Sequence, residues 1–114
     1  MSLLEEIISI LKDLKFDVQT SVYENIAPSK YCVLTPITDT FSVYADNLPQ
    51  VDIEEVRISF FSKFNYLEDK ERIEKSLLSL DITITDRRYQ GYETDTGYHH
   101  YVIDVAKHKY LGGK

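Results

Sequence analysis

Between Val51 and Phe64 the chain alternates with a period of two. Val56, Ile58, Phe60, Ser62 and Phe64 fall on one side, and Glu55, Arg57, Ser59, Phe61 and Lys63 on the other. A strand points successive side chains to opposite faces, so this stretch is the longest strand candidate, with one apolar face and one that carries charge. Such a strand belongs in an antiparallel sheet packed on one face and wet on the other. The packed face needs a cover, and the sequence supplies two amphipathic helices for it.

The first helix opens at Ser2-Leu-Leu-Glu5, a capping box in which the Ser2 hydroxyl accepts from an early amide and Glu5 reaches back. Leu3, Leu4, Ile7, Ile8, Leu11 and Leu14 then recur at helical spacing, which predicts a helix over residues 3–14. Asn65-Tyr-Leu-Glu68 reads as a second capping box, opening a helix over 66–80 with Ile73, Leu77 and Leu80 on its apolar face. Phe16 and Val18 suggest a short strand, and Tyr31–Ile37 a β-rich run with Pro36 at a strand end or edge. Residues 38–50, from Thr38 to Gln50, carry turn signals at both ends and read as a long connection. Two further strands are expected over 82–90 and 98–110, joined by Gln90–Gly97. In the last of them Tyr101, Ile103 and Val105 face inward, and His100, Val102, Asp104 and His108 outward. The order α-β-β-β-α-β-β defines an α+β fold, a mainly antiparallel sheet packed against two helices.

At 114 residues the chain fits a single domain over 1–114, long enough to bury a core without staples. Its net charge is −6, and all of it falls in residues 1–57, which hold four basic and ten acidic side chains; residues 58–114 balance nine against nine. An acidic chain lacks the counterion-release term that drives non-specific DNA binding. The single cysteine, Cys32, excludes an internal disulfide and a thiolate zinc cluster. The longest stretch free of formal charge is eight residues, too short for a membrane helix, and the N-terminus is acidic and amphipathic rather than signal-like. The expectation is a soluble protein made in the cytosol, without a membrane partner.

No constellation for catalysis emerges. His99 and His100 are adjacent and so point to opposite faces of a strand. His100, Asp104 and His108 share a face, but each lies about 13 Å from the next at the rise of a strand. Cys32 sits in an apolar run, where a free cysteine is ordinarily a small buried hydrophobe. No glycine precedes Gly91, so there is no glycine-rich phosphate loop. The chain reads as no enzyme, with no cofactor and no metal. Arg87, Arg88, Tyr89, Tyr92 and Tyr98 form a basic–aromatic cluster, of residue types that often anchor interfaces and are also good strand formers. Phe41, Tyr44 and Leu48, with Asp46 among them, make the 38–50 segment too apolar for a solvated tether and mark a second candidate contact.

Several stretches together resemble the small tail-completion proteins of tailed bacteriophages. These are Ala27-Pro28 followed by Tyr31-Cys-Val-Leu, then Tyr44-Ala-Asp-Asn, then the long strand ending Phe61-Ser-Lys-Phe-Asn-Tyr66. Tyr92-Glu-Thr-Asp-Thr-Gly-Tyr-His-His-Tyr101 is similar to the stretch before the family's final strand. They cover about residues 23 to 105 in order; Lys107–Lys114 has no recognised counterpart. The resemblance implies a structural subunit of a phage or prophage virion, tail terminator or head–tail joining protein. It implies a homo-oligomeric ring, a hexamer, contacting the tail tube protein and the head–tail connector, with DNA only as the transiting genome. In such a ring Asp39, Asp46 and Asp52 are candidates to face the lumen. The competing reading is a small acidic cytosolic adaptor or inhibitor that masks a basic partner.

Overall fold

In a computed structural model, which describes residues 2–19, 28–45 and 48–110 and only the backbone of 38–45, 48–51, 109 and 110, the Ser2 capping box forms as the sequence implies. The Glu5 amide donates to Ser2 Oγ at 3.2 Å and the Ser2 amide donates to Glu5 Oε1 at 3.0 Å. Helix α1 spans Leu3–Asp13 and buries Leu3, Ile7, Ile10 and Leu11. It ends in a Schellman motif: the Lys15 amide donates to the Lys12 carbonyl and the Phe16 amide to that of Leu11, both at 3.0 Å.

Helix α2, Leu67–Ser79, ends the same way, with the Asp81 amide on Leu78 and the Ile82 amide on Leu77. Its start differs from expectation. Tyr66 occupies the N-cap without a side-chain bond. Asn65 lies one residue too early, so its Oδ1 accepts from the Leu67 amide two residues on, an Asx turn rather than a capping box. The buried face of α2 also differs, combining Asp69 and Glu74 with Ile73 and Leu77, whereas Leu80 is exposed. Ion pairs make those carboxylates tolerable. Lys30 and Arg72 reach Asp69 at 3.0 and 3.1 Å, and Arg87 reaches Glu74 at 3.0 Å.

Among the described residues, five strands form one sheet: β1 Asp17–Gln19, β2 Lys30–Ala45, β3 Leu48–Ser62, β4 Thr83–Tyr92 and β5 His99–Tyr110, in the order β1-β2-β3-β5-β4. Only β1 and β2 are parallel. The 38–50 segment is therefore not a connection. It continues β2 and begins β3, whose ladder runs from Lys30↔Ser62 to Ala45↔Leu48. Pro36 does not end the strand either. The register shifts between Pro36 and Thr38, and β1 pairs only with Tyr31–Val33, so the proline stands where no strand lies on the outer side among the described residues.

Both helices cover the face that Cys32, Leu34, Val56, Ile58, Phe60, Ile103 and Val105 present, and with Leu3, Ile7, Leu11, Ile73 and Leu77 these form the core. Phe16 meets Phe60 edge-on at 5.3 Å. The alternation of β3 holds from Val56 to Ser62, but Phe64 lies beyond the strand and is exposed. On β5, Tyr101, Ile103 and Val105 do face the core. The opposite face is less wet than its sequence suggests, because Val102 and Asp104 are buried there too. A central strand has neighbours on both sides, and long side chains from those neighbours cover it.

Candidate interaction surfaces

The turn from β3 into α2 and the turn from β4 into β5 meet at one end of the sheet, and an aromatic cluster fills the junction. Tyr66 stacks on Tyr89 at 5.0 Å and on Tyr101 at 5.7 Å. Tyr89 shares a 2.9 Å hydrogen bond between its hydroxyl and His99 Nδ1, and the Tyr92 ring lies 4.9 Å from that of His99. Lys70 Nζ sits 5.3 Å over Tyr101. Tyr89 and Tyr92 remain 45% and 53% exposed, and Phe64 and Leu67 are exposed at the same end. Phe64 was expected on the packed face of the strand; the end of the strand pattern at Ser62 is the signal that could have shown its exposure.

The basic–aromatic cluster divides between the two faces. Arg87, Tyr89 and Tyr92 lie toward the helices. Arg87 is held by buried Glu74, whose hydrogen bond raises the guanidinium pKa further. The other oxygen, Oε2 of Glu74, is buried without a hydrogen-bond partner among the described residues. Arg88 stands on the opposite face beside Asp86, 3.4 Å away. Tyr98 is buried, its hydroxyl donating to the Pro28 carbonyl at 2.6 Å and its ring edge-on to Tyr31 at 5.3 Å. Alternation along β4 separates Arg87 from Arg88, and Tyr98 is removed from the exposed set because its ring closes an aromatic stack.

That stack lies on the face without helices. Phe61 is layered between Tyr31, at 4.7 Å, and His100, at 4.2 Å. His100 Nε2 is buried with no partner among the described residues, and burial lowers the imidazole pKa, with the Glu93 charge opposing. Further along, Arg57 and Asp104 are direct partners in the β3–β5 ladder and bond bidentately at 2.8 and 3.1 Å. Asp104 raises the Arg57 pKa.

Phe41, Tyr44 and Leu48 stand in the β2–β3 ladder opposite Asp52, Pro49 and Ala45, and Asp46 lies outside the described residues. Asp39 is opposite Glu54, and Asp52 has Lys109 as its partner on β5. His99 and His100 occupy opposite faces, and Asp104 is taken by Arg57. Cys32 is fully buried, and burial with the nearby Asp69 charge pushes its thiol far above the usual range. Among the described residues no group of three or more His, Cys, Asp or Glu side chains is placed to hold a metal ion, and no helix is long and apolar enough to cross a membrane.

What the molecule presents is thus a small α+β domain with an aromatic end, a strand pair extending the other way and two sheet edges. No family model and no curated protein matches the chain.

Proposed function

We propose that the protein is a ring-forming structural subunit of a phage or prophage particle, acting at the head–tail joint to complete or terminate the tail tube. The observation that carries this reading is the pair of unlike sheet edges. One is β4, and the other is β2 beyond Val33, where no strand pairs with its outer side among the described residues. A closed ring needs heterologous contacts, one surface of a subunit meeting a different surface of the next. Unpaired backbone along an edge is a template for such a contact.

The phage placement is supported by the order and spacing of the stretches that resemble tail-completion proteins. The reading assigns the tail tube protein and the head–tail connector as partners above and below the ring, and the virion as its location. No catalytic step is required of such a subunit. Its work is to stop tube growth by covering the last tube ring and to offer a surface to the head.

Electron microscopy of the purified protein, alone and mixed with tail tubes that lack their terminator, tests this. Rings, or tubes capped at one end and fixed in length, are the expected result. A protein that stays strictly monomeric and leaves tubes uncapped rules the reading out. Capsid and tail-tube genes beside its own gene are a second expected observation.

A further inference from the structure

Strand direction links the two edges that no strand covers among the described residues. From the register, β2 and β5 run one way and β3 and β4 the other, so the sheet alternates strictly from β2 through β3 and β5 to β4. Rotation about an axis roughly along the strands preserves their directions. It therefore brings β2 of a second copy beside β4 as an antiparallel neighbour, continuing the alternation.

We propose that the β4 edge of one copy pairs with the distal β2 edge of a second copy, residues 35–45, so that the sheets of neighbouring subunits join. This rests on the ring reading and says which surfaces close the ring. The lengths agree: β4 has ten residues, and Pro36 and the bulge beside it stand only at the near end of the β2 segment. Charge selects this pairing over the symmetrical one. Two β4 edges paired along their full length would set Arg87 of each copy against Arg88 of the other. Between Thr38 and Glu55, by contrast, the chain carries Asp39, Asp46, Asp52, Glu54 and Glu55 and no lysine or arginine.

The stagger of the edges is also consistent with closure. Through the ladders, Thr83 of β4 is level with Thr38 of β2, and Tyr92 with Lys30. The blocking strand β1 occupies Tyr31–Val33, so the second copy must shift along the strands. A shift of about five residues is about 17 Å, across a repeat of four strands about 19 Å wide. That corresponds to a strand tilt of about 40°, within the range that closed sheets adopt. The same shift brings Arg88 level with Thr38 of the neighbour, whose partner on β3 is Glu55.

Disulfide trapping and a charge swap in the full chain test the contact. Gln90→Cys is combined in turn with Thr35→Cys, Ile37→Cys and Asp39→Cys; native Cys32 is buried and does not compete. On mild oxidation at least one pair is expected to give a ladder of covalent oligomers, while each single variant stops at dimers. Arg88→Glu is expected to weaken self-association about fivefold, and adding Thr38→Arg to restore it. Self-association by sedimentation that survives Arg88→Glu unchanged, with no ladder from any pair, overturns the edge contact and leaves the ring reading standing. A wild-type chain that associates neither alone nor on tail tubes overturns both.

Discussion

Lys15 and Asp81 occupy the same place in the two helices, the first residue past the cap, and both adopt positive φ, 71° and 60°. The Schellman bonds require that left-handed residue, and glycine adopts it without the Cβ clash. Lys15→Gly is expected to stabilise the fold by about 0.5–1 kcal/mol, seen as a higher urea midpoint with an unchanged slope. Asp81→Gly is expected to gain less, since aspartate tolerates the left-handed region better than lysine. A different single residue sets the response to acid. Folded His100 takes up a proton less readily than the unfolded chain, because burial lowers its pKa from the ordinary 6.5. The unfolded state therefore binds more protons below that pH, and stability falls as pH drops through this range. His100→Phe keeps the stack on Phe61 and removes this titration, so its unfolding free energy is expected to fall less than that of wild type as pH drops through this range. Glu5 acts lower still, because bonds from the Ser2 backbone and hydroxyl depress its pKa.

At the scale of elements, strands that contribute to the core announce themselves in the sequence. The alternation of Val56, Ile58 and Phe60 is written by the core they fill, and so is that of Ile103 and Val105. Thr38–Ala45 lies past the shifted register at Pro36. Its strand state comes from a ladder with Leu48–Glu55, a pairing that a composition of Thr, Ser and Asp with Pro49 does not signal. The paired carboxylates of α2 were hidden for a related reason: Asp69 and Glu74 look like solvated helix surface until Lys30 and Arg87, 39 and 13 residues away, arrive beside them. The candidate contact residues were legible as types, but their division between two faces depended on the β4 register. This suggests an experiment on the extended strand pair. Replacing residues 41–52 by a two-residue Asn-Gly turn between Thr40 and Ile53 cuts the ladder at facing positions. The core residues remain, so a thermal midpoint within a few degrees of wild type is expected, together with loss of self-association. A large fall in the midpoint would instead make the outer ladder part of the folding unit.

For the whole molecule, charge is the property that the proposed ring would change most. Each chain carries −6, all of it formally in residues 1–57, and a hexamer carries −36, six times that value. The fold matches part of this acid internally. Lys107 Nζ bonds Glu6 at 2.8 Å, and Lys107 and Lys109 on β5 are the register partners of Glu54 and Asp52. Asp39, by contrast, stands opposite Glu54, acid beside acid. If the extended strand pair lines the passage, unbalanced carboxylates repel phosphate over about a Debye length, about 8 Å at physiological salt, and keep a moving genome from adhering. Charge reversal then has an expected order of effect. Asp39→Lys with Asp46→Lys changes the charge of each chain by four units and Asp52→Lys by two, so the first pair adds the most attraction for DNA. Particles carrying the first pair of changes are expected to retain more DNA after triggered ejection than those carrying the third, with the difference shrinking as salt rises. Equal retention across all three, in particles that assemble normally, assigns the acidity to ordinary surface solvation and moves the lumen to another face.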